Sequence, residues 1–256
     1  MINNYHLRVD AFPDFAPFAW VLLACAALFV GVAKTALPGV STLSVAIFAA
    51  ILPAKASSAA LLLLFIVGDI FALLMYRRHA DWPALVKLAP AVLVGLLLGA
   101  AFLTVADDGW VKRAIGAILL LLIGFTVWQR RFAPRVEGAG GLARVGYGTL
   151  GGFTTTVANA GGPVMALYFL AAKFPVKTFL GTAAWFFASV NIAKLPIALG
   201  LGLVTPGILL LDAVLLPGVV IGAFVGRWAA ARIVQSTFDR AVLLLTVLGS
   251  AYLILS

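Results

Sequence analysis

Long apolar runs separated by short polar stretches make up most of this chain. Residues 57–76, 82–103, 115–128, 178–201, 208–225 and 242–255 are nearly continuous hydrophobic sequence. Runs of this kind, where they approach about 20 residues, predict helices that cross a bilayer. Two further runs are interrupted. The first is apolar over 18–33 and again over 40–52, and its junction, inside VAKTALPGVSTLSV at 32–45, holds a lysine and a Pro-Gly pair. The second, 147–172, is broken by GFTTTVANAGGPVMAL at 152–167. A helix break at membrane depth is tolerated where it is buried in protein or lines a wet cavity. Each half-segment falls short of the roughly 20 residues that a crossing needs, so both broken segments are predicted to be re-entrant hairpins.

The breaks belong to a repeat. Setting Leu52-Pro53-Ala54-Lys55 on Phe174-Pro175-Val176-Lys177 gives an offset of 175 − 53 = 122, which brings Gly39 onto Gly161 and Asp69 onto Asn191. Pro90, Gly95 and Gly99 match Pro217, Gly222 and Gly226 at 217 − 90 = 127. The predicted fold is therefore an all-α polytopic membrane protein, one transmembrane domain over 1–256. Its two repeats, 18–128 and 146–256, are joined by a polar linker at 129–145, and each combines a broken hairpin with three transmembrane helices. Three crossings per copy would invert one copy relative to the other, and paired interrupted segments in matching positions point to a transporter's substrate site.

Composition fixes the class. The chain is 64% hydrophobic and 11% charged, where soluble domains carry about 25% charged residues. The net charge of +9 does not indicate nucleic acid, since the basic residues flank apolar segments, where they set topology. Cys25 is the single cysteine, which excludes an internal disulfide and a thiolate metal cluster. No metal or cofactor is expected. The first seventeen residues lack a basic start and a cleavage site, so the first helix is expected to be retained.

Loop charges separate two topologies. Were the broken segments to cross, Arg8, Arg77, Arg78, Lys87, Arg130, Arg131, Arg135 and Arg144 would face one side. Lys55, Lys112, Arg113, Lys173, Lys177, Arg227, Arg232 and Arg240 would face the other, with no bias. With both segments re-entrant, Arg8 leaves the first group and Lys173, Lys177, Arg227, Arg232 and Arg240 join it, giving twelve against four. The positive-inside rule selects this second arrangement, with both termini outside.

Candidate chemistry gathers at the breaks. Lys34 is a cation at membrane depth, costing about 3 kcal/mol on insertion scales unless it faces a partner or water. Snorkelling to an interface is its bland reading. Helix N-termini attract anions through unpaired N–H groups. Pro38-Gly39 would begin one half-helix, whose first turn is Val40, Ser41 and Thr42, and Asn159 or Gly161 would cap the other, which opens with Pro163 after Gly162. Thr35 and Ser41 are candidate polar contacts. Thr154, Thr155 and Thr156 suit either a substrate oxygen or freed carbonyls. Lys194 lies one turn after Asn191, and Asp69 is either a structural partner of Lys34 or Lys194 or a proton relay. Asp212 is expected near the interface.

Together these features resemble the TauE/SafE sulfite exporters. The likeness rests on the doubled unit, on Gly161-Gly162-Pro163 before an apolar half-helix, on Pro53-Ala54-Lys55-Ala56-Ser57-Ser58, and on the Pro90 to Gly99 pattern echoed at Pro217 to Gly226. It covers the chain from Phe18 onward. The resemblance implies export of sulfite or short organosulfonates such as sulfoacetate across the inner membrane. The chain departs from the family's glycine-rich first break, having one glycine and an added cation in Ala33-Lys34-Thr35-Ala36-Leu37-Pro38-Gly39.

The expected function is a secondary transporter that holds a small anion between two half-helix N-termini and the membrane lysines. Substrate contacts are assigned to Lys34, Thr35, Gly39, Val40, Ser41, Asn159, Gly161, Gly162, Asn191 and Lys194, with Asp69 as coupling candidate. The expected partners are that anion and the lipid bilayer, and the oligomeric state is open between monomer and homodimer. One rival is a cation or proton transporter centred on Asp69. An intramembrane enzyme is disfavoured: the glycine that an aspartyl protease motif would need two residues before Gly68 is Ile66, and His6 and His79 lie in polar flanks.

Overall fold

A computed structural model describes residues 15–107 and 141–234 continuously, with short pieces at 109–111, 113–114 and 117–118 and single positions at 121, 237, 240 and 244. Both termini, most of the linker, and all but a few positions of the predicted spans at 115–128 and 242–255 lie outside the described residues. Among the described residues the chain is helical, without strands.

Helix α1, Pro17–Thr35, opens on a proline, whose missing N–H costs nothing in a first turn. A single 3-10 turn, Pro38–Val40, leads into α2, Ser41–Ile51. Then come α3, Ala54–Tyr76, and α4, Trp82–Val105. After the linker, α5 is Gly141–Ala158, α6 Gly161–Ala171, α7 Val176–Gly200 and α8 Pro206–Ala230. Sequence-encoded stops and starts set these bounds. Asp81 caps α4 by accepting from Ala84 N at 2.9 Å, and Thr205 caps α8 by accepting from Ile208 N at 3.3 Å. Gly202, at φ +66°, closes α7 in the left-handed conformation that glycine adopts without strain. Pro53 and Pro175 precede α3 and α7 as the 122-residue offset requires.

Among the described residues five helices, α1, α3, α4, α7 and α8, are long and apolar enough to cross a membrane. The first is longer than the apolar run at 18–33 predicts, because Lys34 and Thr35 continue the helix to the break. By length alone α1 qualifies as a span. Helix α2, about 16 Å long at 1.5 Å per residue, does not.

Both breaks fold the chain back. Ser44 on α2 donates to Ala26 O at 2.8 Å, about two and a half turns before the end of α1, so α2 runs back along α1. Met165 on α6 lies against Gly151 of α5 in the same way. The most extensive helix interfaces join α1 to α8 and α5 to α4, and they are built alike. A Cβ on Gly31 would collide with Val219 and Ala223, and one on Gly152 with Val92 and Leu96. Gly222 rests on Leu28 and Gly226 on Val32 and Thr35, as Gly95 rests on Thr149 and Gly99 on Phe153 and Thr156. These counterparts stand 152 − 31 = 121 and 219 − 92 = 127 residues apart. The offset becomes 122 from Gly39 onward, so the second break is one residue longer than the first.

The two ends of the bundle differ. At one end Asp81 N donates to Thr182 Oγ1 at 2.9 Å, Trp185 Nε1 donates to Arg77 O at 3.2 Å, and Phe71 meets Phe224. This places Arg77, Arg78, Lys177 and Arg227 together. At the other end Leu52 and Leu203 share a cluster with Leu23, Phe15 and Trp20, close to Lys55.

Candidate functional site

The tips of the two hairpins meet inside the bundle. A Cβ on Gly162, in the first turn of α6, would lie 2.9 Å from Ser41 Oγ and 3.0 Å from Pro38 O. Neither half-helix has a side-chain cap; at α2 the preceding 3-10 turn takes the first N–H groups, Val40 N donating to Leu37 O at 2.9 Å and Ser41 N to Pro38 O, whereas the first turn of α6 leaves its N–H groups to whatever occupies the tips. Asn159 and Gly161 are not the cap: Ala160 holds that position. Asn159 adopts φ +50° and turns its amide away, and Pro163 stands third in α6 rather than first. A proline is equally tolerated there, since the first four N–H groups have no partner in the helix.

Beside the tips lies a cavity of about 20 Å³, lined by Lys34, Ser41, Asp69, Asn159, Gly162 and Asn191 among others. Lys34 does not snorkel. It occupies the last turn of α1, where unpaired carbonyls favour a cation, and its side chain is 7% exposed. Its Nζ is 2.7 Å from Asp69 Oδ1. Asn191 Nδ2 donates to Asp69 Oδ2 at 2.6 Å, so the two residues aligned by the repeat touch each other.

The same ammonium sits over two rings, 4.6 Å from the centre of Phe65 and 4.7 Å from that of Phe187. Such contacts contribute about 0.5–2 kcal/mol each. These rings are counterparts as well, at 187 − 65 = 122. The sequence reading missed them, although Phe65-x-x-x-Asp69 and Phe187-x-x-x-Asn191 repeat one spacing and put ring and polar group on one helix face.

Lys194 is placed apart from Lys34. It donates to Thr155 O at 2.8 Å, Asn159 Oδ1 at 2.7 Å and Thr155 Oγ1 at 3.3 Å. It lines a second cavity of about 30 Å³. Of the three threonines, Thr154 and Thr156 bond carbonyls of the preceding turn, while Thr155 lines the central cavity. Thr35 faces α8, its hydroxyl 3.0 Å from both the Gly31 and Ala223 carbonyls. Gly39, Val40 and Gly161 are buried within the tips and do not line the central cavity; the Gly39 carbonyl accepts from Thr42 Oγ1. Asp212 is the seventh residue of α8, near the start of its span as expected, and is buried against protein at 7% exposure, with no hydrogen-bond partner on either carboxylate oxygen.

The sulfite exporter TauE/SafE family matches residues 23–253. The chain belongs to that family. It is a multi-pass membrane protein of a class that exports sulfite and related sulfur anions. No curated protein and no solved structure matches it. The central cavity brings together the Lys34 ammonium, the Asp69 carboxylate paired with it, the Asn191 amide that donates to that carboxylate, and the start of α6, which has no side-chain cap. Among the described residues no group of histidine, cysteine, aspartate or glutamate could hold a metal ion.

Proposed function

We propose that this exporter carries sulfite or a short organosulfonate through the cavity between the two chain breaks, held by Lys34 and by the first turns of α2 and α6. The observation that carries the reading is the meeting of Pro38, Ser41 and Gly162 beside a buried lysine. A cation and two helix N-termini converge on a compact anion, the arrangement by which interrupted helices bind anionic groups at the midplane.

The register of the helices supports an inverted pair of repeats. Along α1 and α8, and along α4 and α5, contacting residues rise in number together, so each pair runs parallel. With α2 folded back and α3 joined to α4 by a short connection, α5 runs opposite to α1. The gathering of Arg77, Arg78, Lys177 and Arg227 at one end supports the re-entrant topology, with that end cytoplasmic in the inner membrane and both termini outside. Alternating access then comes from one half rocking against the other.

About 20 Å³ accommodates one or two waters. A sulfur oxyanion needs more, so binding draws the tips apart and loosens Asp69 from Lys34. Proteoliposomes loaded with labelled sulfite test the reading. Efflux competed by sulfoacetate is expected, with a loss of at least about tenfold in Lys34→Met/Asp69→Asn, where both members of the pair are removed together. Sulfite efflux at the parent rate in that double variant would remove Lys34 from the site.

A further inference from the structure

Lys194 is a buried ammonium, 4% exposed, with three neutral acceptors. Among the described residues no carboxylate lies within salt-bridge distance of it. A desolvated charge held by dipoles alone is poorly compensated, and here it borders open space. That second cavity is lined by Ser58, Leu62, Thr156, Asn159 and Lys194, and continues past Ala198 to Leu201 and Leu203. Leu203 packs with Leu52 and Leu201 with Ala54, so this cavity leads to the end of the bundle near Lys55, opposite the arginine-rich end.

One residue, Asn159, lines both cavities. Its amide closes the wall between them: Oδ1 accepts from Lys194, and Nδ2 donates to Ser58 O at 2.9 Å and Ser58 Oγ at 3.1 Å. These bonds join α3, the second break and α7 across the opening.

We propose that the cavity at Lys194 is a second binding station for the transported oxyanion, in series with the central one, and that the Asn159 side chain is the door between them. The inference rests on the anion reading above and adds a site to it. An anion leaving Lys34 displaces the Asn159 oxygen from Lys194 and supplies the counter-charge that this ammonium lacks. Rotation of the freed amide opens the wall, and its return closes the path behind the ion. A cation in this wall also lowers the barrier that a bare apolar passage would present to an anion.

The experiment uses Ala198→Cys, one turn from Lys194 on the same helix face, in a Cys25→Ser chain reconstituted in proteoliposomes. Its reaction with a membrane-impermeant maleimide from the Lys55 side is followed with sulfoacetate present or absent. Sulfoacetate is expected to slow labelling about tenfold, and to do so still when Lys34→Met/Asp69→Asn has removed the central pair. The protection is expected to vanish in Lys194→Gln, where an amide replaces the ammonium. Equal protection in Lys194→Gln, or sulfite efflux in the parent chain with no protection at Ala198→Cys, overturns the second station while leaving the central one standing. A parent chain that moves neither sulfite nor sulfoacetate overturns the reading beneath both. Thermal unfolding in detergent at the parent temperature serves as the folding control for every variant.

Discussion

Lys34 and Lys194 are both buried near the same two chain breaks, and the protein treats them in opposite ways. Lys34 is held by a carboxylate at 2.7 Å and by two ring faces. Lys194 is held by a carbonyl, a hydroxyl and an amide oxygen. The first charge is cancelled by a neighbour, and the second is merely solvated by dipoles. On the transport path proposed above, a substrate anion competes with Asp69 at Lys34, whereas at Lys194 it completes an unbalanced site. The contrast teaches that depth in the bundle does not determine a lysine's task; its companions do.

The sharpest way to break this contrast is to unpair Lys34. Lys34→Met leaves Asp69 buried without its cation, and Asp69→Asn leaves the ammonium without its anion, so each is expected to cost about 3–5 kcal/mol. Thermal unfolding in detergent reads this, and the double variant should recover most of the loss. Additive losses would mean that the two residues are not a pair. Next in size is Lys194→Met. It leaves the Thr155 carbonyl and Asn159 Oδ1 without their donor, at about 1–3 kcal/mol. A loss as large as that of Lys34→Met would erase the distinction between the two sites.

Smaller effects sharpen it further. Asn159→Gly keeps the left-handed turn at φ +50° but removes the amide. It should cost about 1 kcal/mol in stability, and Asn159→Ala about 1 kcal/mol more, because alanine pays for the backbone as well. Calorimetric midpoints of the two variants check the difference; identical values would show that the conformation is unstrained. Phe187→Leu, which touches the Lys34 side alone, is expected to lose about 0.5–1 kcal/mol. Combined with Lys34→Met it should add little, and a fully additive loss would show that the ring serves packing rather than the cation.

Much of the architecture was legible in the sequence because backbone constraints in lipid are strict. Helix starts at Pro17 and after the Pro53 and Pro175 pair follow from prolines that cannot sit in a helix interior, and those after Asp81 and Thr205 from side chains favoured as N-caps. The breaks were legible for the same reason. What those breaks do was less so. The spacing of Lys34, Lys194 and Asp69 gave no way to decide which lysine meets the carboxylate, since both are compatible with one shared shell until the helices are docked. Thr35 lay next to the break and yet turns towards α8, where Gly226 leaves room for it. The ring pair was hidden in plain sight, because an aromatic in an apolar run carries no polar mark; the 122-residue offset would have exposed it. Asp212 illustrates another limit: its position near the start of a run was legible and is where α8 holds it, but the run did not show that neighbouring helices bury its carboxylate.

In the inverted arrangement proposed here, Asp69 meets Asn191 and Phe65 mirrors Phe187, so the ammonium of Lys34 sits near the pivot about which the halves exchange roles. An ion resting at a pivot finds nearly the same surroundings whichever half swings. Such a carrier has little built-in preference for direction, and its flow should reverse when the gradient across the bilayer is reversed. The bias that remains must come from places where the halves disagree, such as Lys194, whose counterpart at 194 − 122 = 72 is Ala72.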